Sequence, residues 1–402
     1  MKFEIKYCYE INCPEWDSFV EENGGEIFQT STWAKKELKY NNWKSIRFYV
    51  KNDKSLVAGC QILIINDLLF GNIGYIIAGP CFKIKTPELM SLVVKEIKTS
   101  VQLLNLSYLI IQPNYKEHEL APFLENEKFE PNSSQFHIYP PFKYIPVPGD
   151  TLFLDLSLSF EELLKQMNEN RRRGIKKGLK SPLKIKLGGR DDLKSYYDLF
   201  LFTVSRNIYT DPITQKNVVW TPMITYDELF HIWDELSPHG WVKLFLGYVE
   251  DELICGALTY SFGKIFQYQH WGWNRKYSEY HIPDAMHWEM IQWAKTNGFE
   301  YYDFCEIDKD IANAFRSGEP MTEALKKKYF VGATLFKIQF GGITISYPKE
   351  YIYFSNKMNH LLETSRDDLI HLTKLYKDFY WGGKNFFRDH QVNFPCCETF
   401  FL

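Results

Sequence analysis

One pattern occurs twice in this chain, and it restricts the available folds more than any other feature of the sequence. Residues 45–64 read SIRFYVKNDKSLVAGCQILI, two alternating apolar runs around a polar turn at Lys51–Ser55. Residues 244–262 read LFLGYVEDELICGALTYSF, with two such runs around Glu250–Glu252. Alternation interrupted by a short polar turn predicts a β-hairpin in each. A further strand follows each hairpin, LLFGNIGYIIAGPCF in the first copy and KIFQYQHWGWN in the second. Helices come next. PELMSLVVKEIKTSVQLLN has Pro87 in its first turn, and PDAMHWEMIQWAKTNG opens at Pro283 and closes at Asn297-Gly298, a C-cap pair. An apolar strand ends each copy, SYLIIQPN and FEYYDFCEI. The order hairpin, strand, helix, strand therefore runs over about 46–114 and again over 244–307. Matched order over this length predicts an α/β (α+β) protein of two similar domains, each a mixed central sheet flanked by helices.

The expected boundaries are 1–150 and 151–345, joined through KYIPVPGDTLFLDLS, where Pro146, Pro148 and Gly149 mark a crossover. Beyond about residue 350, NKMNHLLETSRDDLIHLTKLYKDFY reads as one amphipathic helix, so 346–402 is expected to be a helical tail packing back onto the first domain.

Charge narrows the function. The net charge is −3, so nucleic acid could be met only by a local patch. No apolar run is long enough to span a bilayer, and MKFEIKYCYEINCPEW lacks the features of a signal peptide. The eight cysteines show no CxxC spacing, which predicts reduced thiols in a cytoplasm and no zinc or other metal site. Aromatic residues reach 17%, a level that an AT-rich coding sequence or an extended substrate groove would both produce.

A local patch does exist. SFEELLKQMNENRRRGIKKGLKSPLKIK opens a helix with Ser159 as N-cap and Glu162 at the capping-box position. From Lys165 to Lys186 it carries nine basic residues, including Arg171, Arg172, Arg173, Lys176 and Lys177, against Glu169 as the one acid. Such a run is either a solvated helix face or a phosphate-binding surface for RNA or a diphosphate. Arg206 ends an apolar helical run, where an arginine needs a partner or a cleft. His270, Trp271 and Trp273 lie along one strand, His270 as a groove or core histidine and not a general base. Lys337 sits in LFKIQF, read as an apolar strand. Facing inward it would meet an anion or oxyanion, and facing outward it would be an ordinary edge lysine. The glycine-rich loop that cradles an acyl-CoA pyrophosphate is absent from both helix-opening stretches, KIKTPELM and YSEYHIPDAM. No cofactor is called for.

The repeated order matches the GNAT acyltransferase core, and the motifs together resemble the Fem aminoacyltransferases (FemA, FemB and FemX type) over about residues 25–345. The motifs are Gln29, Trp33 and Lys35 in FQTSTWAKK, Gly79-Pro80, Leu154-Asp155-Leu156, the basic run Arg172–Lys177, Arg206, Tyr226, Gln267–Gly272, Tyr302-Asp303-Phe304, and Phe336-Lys337 followed by Phe340-Gly341. Several positions depart from the family pattern. Gln112-Pro113 stands for an Asp-Pro, Cys305-Glu306 for a Gly-Gly, and Trp271 and Trp273 for small residues beside the strand-end glycine. The resemblance implies two tandem GNAT-like domains and transfer of an amino acid from aminoacyl-tRNA to an amine of a peptidoglycan precursor or related peptide. The enzyme would act at the inner membrane surface if that acceptor is lipid-linked. It also implies that Lys337 stabilises the oxyanion or leaving hydroxyl, with Phe336 holding it. Lys35, Trp33, Arg206, Tyr226, Tyr268 and His270 would bind the acceptor, and Arg171, Arg172, Arg173, Lys176 and Lys177 the tRNA. An acyl-CoA-dependent N-acyltransferase and a non-catalytic binder of tRNA or precursor remain as alternatives.

Overall fold

Both alternating segments form hairpins, and the hairpins organise two sheets. The computed structural model describes residues 3–67, 70–131, 149–206, 208–210, 217–219, 224–326 and 331–358. The first part of the chain forms β1 (Phe3–Cys8), α1 (Pro14–Glu22), α2 (Ser31–Asn41), β2 (Lys44–Asn52), β3 (Ser55–Asp67) and β4 (Gly71–Ile77). It continues through β5 (Cys81–Phe82), α3 (Pro87–Leu103), β6 (Tyr108–Gln112), α4 (Ala121–Asn126) and β7 (Glu130–Pro131). After the crossover come β8 (Thr151–Asp155), α5 (Phe160–Gln166), α6 (Glu169–Gly178), β9 (Lys184–Leu187), α7 (Leu193–Val204), β10 (Ile208–Thr210), β11 (Asn217–Val219) and α8 (Tyr226–Leu236). The repeat returns as β12 (Val242–Val249), β13 (Glu252–Phe262), β14 (Ile265–Trp273), α9 (Ile282–Thr296) and β15 (Tyr301–Glu306). Then follow α10 (Lys309–Ser317), α11 (Glu323–Lys326), α12 (Val331–Ile338), β16 (Ile343–Ile345) and β17 (Tyr351–Phe354).

The two sheets repeat one plan. The first runs β1-β2-β3-β4-β6-β17-β7 with β5 beside β3, and the second runs β16-β8-β15-β14-β13-β12-β9. Hairpin β2–β3 corresponds to β12–β13, and each carries a register shift near its turn, between Val50 and Lys51 and between Gly247 and Tyr248. In each copy the third strand pairs in parallel with the strand after the helix, β4 with β6 and β14 with β15. Capping matches the sequence signals: Ser159 and Glu162 form a reciprocal capping box, and Asn297 caps α9 ahead of Gly298 at φ +84°.

Because side chains alternate across a strand, each sheet feeds two cores. Helix α3 covers one face of the first sheet with Leu89, Val93 and Ile97 against Phe48, Ile62 and Ile111. Helix α9 covers one face of the second with Met286, Met290 and Ile291 against Phe245, Phe266 and Tyr302. Burying each such side chain is worth roughly 1.5–3 kcal/mol. The remaining faces share one core: Tyr49, Tyr75 and Ile110 of the first sheet and Leu244, Leu258 and Tyr260 of the second belong to a single cluster with residues of α1, α2, α7 and α8.

Two expectations are corrected. The apolar segment holding Lys337 is helix α12 and not a strand. The basic segment is not one helix: α5 ends at Gln166, and Asn168 starts α6 by accepting from the Asn170 amide at 2.9 Å. The strand Tyr351–Phe354 lies in the first sheet, between β6 and β7. The crossover residues 143–148 and the tail from residue 359 lie outside the described residues. The cysteines at positions 8, 13, 60, 81, 255 and 305 are free, while Cys396 and Cys397 lie outside the described residues. Among the described residues no helix is long and apolar enough to cross a membrane.

Candidate active site at the strand fork

The two copies differ where their parallel strands end. Strands β4 and β6 stay paired through Ile77 and Gln112. Strands β14 and β15 pair only at Ile265–Gln267 with Tyr301–Asp303 and then part, β14 continuing against β13 and β15 against β8. Gln267 Nε2 donates to Asp303 Oδ2 at 3.2 Å at the point of parting. A fork of this kind leaves main-chain polar groups without ladder partners, so side chains must reach them.

Both strands bulge beside the fork. On β14, Leu258 faces His270 and Thr259 faces Tyr268, which makes Gln269 the extra residue. Its amide reaches Cys305 Sγ at 3.5 Å. On β15 the register shifts between Asp303 and Glu306, and Cys305 holds φ +57°. Glycine adopts this left-handed region freely, and cysteine only at a cost of about 1 kcal/mol or more. Asp303 Oδ1 braces the bulge by accepting the Cys305 amide at 2.7 Å and the Thr151 hydroxyl.

The β14 bulge separates two residues that sequence spacing places in one groove. Tyr268 packs on His287 of α9 (ring centroids 4.6 Å), whereas His270 turns to Phe200 of α7 (5.4 Å). Burial pulls the His270 pKa down to about 4, so its imidazole is neutral.

Lys337 reaches the fork from α12. Its Nζ donates to the Glu306 carbonyl at 2.7 Å, immediately after the β15 bulge. Burial lowers its pKa, opposed by Cys305, Glu306 and Asp303. The neighbouring Phe336 is wedged between His287 and Phe340, each at 5.4 Å, and lies under the Arg171 guanidinium at 4.7 Å. His287, which the sequence reading passed over, is the centre of this packing. Its ring also contacts Phe304 at 5.0 Å, and its Nδ1 lies 2.8 Å from the Tyr302 hydroxyl. Burial, and then the Lys337 and Arg171 charges, pull its pKa down to about 3. The available signal was a histidine in AMHWEM between Met286 and Trp288 of a helix that buries Met286, Met290 and Ile291.

The basic residues of α6 separate by direction. Gly174 and Gly178 face α9, where a Cβ would lie 2.6 Å from Asp284 and from Ala285 respectively. Arg171 therefore turns inward, 2.9 Å from Asp284 and over Phe336. Arg172 Nη1 donates to the Met167 carbonyl at 2.5 Å, tying α6 to the end of α5. Arg173, Lys176 and Lys177 are exposed, with Arg173 3.4 Å from Glu169.

Of the expected acceptor residues, Tyr268 and His270 lie on β14, whereas Lys35, Trp33, Tyr226 and Arg206 lie on α2, at the start of α8 and just past α7. Lys35 pairs with Glu235 at 2.7 Å, and Lys39 reaches the same carboxylate. The adjacent Lys36, also missed in sequence, is fully buried over Trp33 (4.2 Å) and pairs with Glu37 at 2.6 Å and Glu228 at 3.4 Å. Trp33 packs edge-on against Tyr260 across the two halves at 6.0 Å. Arg206 donates to the Trp273 carbonyl at 2.6 Å and stacks on Phe202 at 4.5 Å. Tyr226 starts α8 against Phe230 at 4.5 Å. Lys35 and Arg206 thus have separate partners. Among the described residues no group of His, Cys, Asp and Glu could hold a metal ion.

Comparison with known proteins adds a lineage. The FemAB family model matches residues 11–212, and an acetyltransferase (GNAT) domain model matches 165–311. Among curated proteins none matches. Among solved structures, a crystal structure of FemX aligns at TM-score 0.72 with 17% identity, covering 90% of this chain and 99% of that one. The C-terminal domain of a putative lysylphosphatidylglycerol synthetase from Agrobacterium fabrum aligns at TM-score 0.48, with 11% identity and coverage of 88% and 95%. A tandem GNAT protein from the clavulanic acid biosynthesis pathway gives 0.47, with 6% identity and coverage of 88% and 98%.

Proposed function

The chain belongs to the FemAB family, and from that premise we propose that it forms an amide bond by moving an amino acid from aminoacyl-tRNA to an amine. The acceptor is an amine of a peptidoglycan precursor or related peptide, and the reaction takes place in the cytoplasm. Such a reaction needs no covalent enzyme intermediate. It needs an oriented amine, a route for its proton, and a donor for the tetrahedral oxyanion. The observation that carries the reading is the lysine at the fork. Lys337 sits where two parallel strands part, anchored on a main-chain carbonyl and flanked by a phenylalanine locked between two aromatic groups and a guanidinium. A cation held there is preorganised for charge that develops only in the transition state.

Acyl-CoA as donor is the alternative that the GNAT match keeps in view. The opening of α9 argues against it. A pyrophosphate cradle needs free amides at a helix start, and here Pro283 removes one and the Asp284 carboxylate already occupies the first turn beside Arg171. The exposed Arg173, Lys176 and Lys177 favour RNA instead.

The deciding experiment incubates the protein with a full set of charged tRNAs and candidate amine acceptors, followed by mass spectrometry. An amide product with release of uncharged tRNA is expected. Turnover of acetyl-CoA without tRNA would establish the alternative donor. Binding of tRNA without transfer would make the protein a carrier.

A further inference from the structure

Glu26 is a buried carboxyl group with half of its hydrogen-bonding capacity unused. It lies just before a short 3-10 turn at Ile27–Gln29 and is 4% exposed. Its Oε1 accepts from Asn114 Nδ2 and from the Tyr347 hydroxyl, both at 3.1 Å. Its Oε2 is buried with no hydrogen-bond partner. Asn114 follows β6 and Tyr347 follows β16, so the group sits on the seam between the halves. The titratable groups facing it are Tyr115, Lys116 and Cys81 from the first half, and Tyr347, Asp303 and Cys305 from the second.

Those last two residues, with Glu306, are the groups Lys337 faces across the fork. Tyr347, half-buried, packs on Tyr115 at 5.7 Å, and Tyr115 packs at 5.5 Å on Phe153, the β8 residue paired with Asp303, so Tyr347 stands between the fork and Glu26. Of the other acids there, Asp303 is saturated by Thr151, Gln267 and the Cys305 amide, and Glu306 is exposed. A carboxylate hydrogen-bonded on one oxygen only, with the exposed Lys116 as its opposite charge, gains most by taking up a proton.

We propose that Tyr347 and Glu26 form the proton outlet of the transfer reaction. As the acceptor amine attacks the ester carbonyl, its proton passes to the Tyr347 oxygen while the Tyr347 hydroxyl proton passes to Glu26 Oε1. The new N–C bond forms, the ester C–O bond breaks, and the proton returns by the same path to the leaving ribose oxygen. This inference rests on the amide-forming reading above. Burial, with Asp303 adding, raises the Glu26 pKa to about 8 against the pull of Tyr347 and Lys116. The basic form therefore increases as pH rises through that value.

The test is single-turnover transfer from preformed aminoacyl-tRNA to a peptide amine between about pH 6 and 9.5. For the wild type the rate should climb with pH and break near 8. Glu26→Gln keeps an oxygen for Asn114 and Tyr347 but cannot take the proton. It should lose about 10²-fold in rate and lose the break, as general-base removal does. Tyr347→Phe should do the same, with acceptor KM unchanged in both variants. Glu26→Asp should restore a break at a shifted pH. Wild-type rates and an unmoved break in Glu26→Gln and Tyr347→Phe would overturn the proposal, as would losses confined to KM. If Glu26→Gln fails to fold, Tyr347→Phe alone carries the decision. A wild type that makes no amide from any charged tRNA sinks the functional reading itself, which an active wild type with indifferent variants does not.

Discussion

Single residues at the fork show how far type, as opposed to geometry, can be read from a sequence. The pair Phe336-Lys337 was legible as a cation among apolar groups, but its anchor on the Glu306 carbonyl was not, because that contact depends on a bulge thirty residues away. Tyr268 and His270 were legible as neighbours, and one inserted residue sends them to opposite faces. Lys337→Met retains length and apolar packing, so the fold should survive while single-turnover transfer falls by roughly 10²–10³, the loss typical of one oxyanion donor. Near-normal turnover would leave Lys337 a structural prop. The buried histidines make a separate prediction about stability. The folded pKa values of about 4 for His270 and about 3 for His287 lie below an unfolded value near 6.5. Their neutral forms therefore contribute stability that is full above pH 6.5 and lost as pH falls toward those values, at up to about 1.4 kcal/mol per pH unit for each. His270→Leu should flatten the fall in unfolding midpoint between pH 6.5 and 4. An unchanged slope would place the acid sensitivity elsewhere.

At the scale of elements, two departures from the sequence expectation have separate origins. VGATLFKI is rich in β-branched and aromatic residues, and in so short an apolar run periodicity does not separate strand from helix. Packing of Ile338 and Phe340 into the second core, and the turn at Gly341 and Gly342 (φ +87° and +81°), settle it as α12. The break between α5 and α6 did have a signal, Asn168 followed by Glu169, which the charge run obscured. That break lets α6 lie flush on α9 and sorts its cations by job. Reversing Arg173, Lys176 and Lys177 to Glu should weaken tRNA binding and reduce the slope of log K against log salt by about two, since fewer counterions are released. Arg171→Lys should leave that slope alone and lower the transfer rate about tenfold, because lysine cannot both pair with Asp284 and lie flat on Phe336. Filter binding across a salt series, run beside single-turnover rates, separates the two roles. Equal effects on slope from both would return Arg171 to the RNA surface.

The whole molecule is two copies of one plan with a core in common, and the repeat in the sequence made the first half of that statement readable. The second half was not, since it depends on Trp33 meeting Tyr260 and on Lys35 and Lys39 reaching Glu235, pairings with no local trace. With the inner faces of both sheets in one cluster, neither half has a complete core of its own. We accordingly expect a single calorimetric transition with equal van't Hoff and calorimetric enthalpies, and no cooperative folding from residues 1–150 alone. Two resolved transitions would mean that the shared core is dispensable. The strand Tyr351–Phe354, inserted between β6 and β7, sets an order of events during synthesis. Among the described residues, all strands of the second sheet have been synthesised by residue 345, but the first sheet waits for β17. Until then the edge of β6, the apolar YLIIQ, is unpaired on a nascent chain. The half made first is thus the half finished last, and a translating cell must shield that edge for most of the time the protein takes to make.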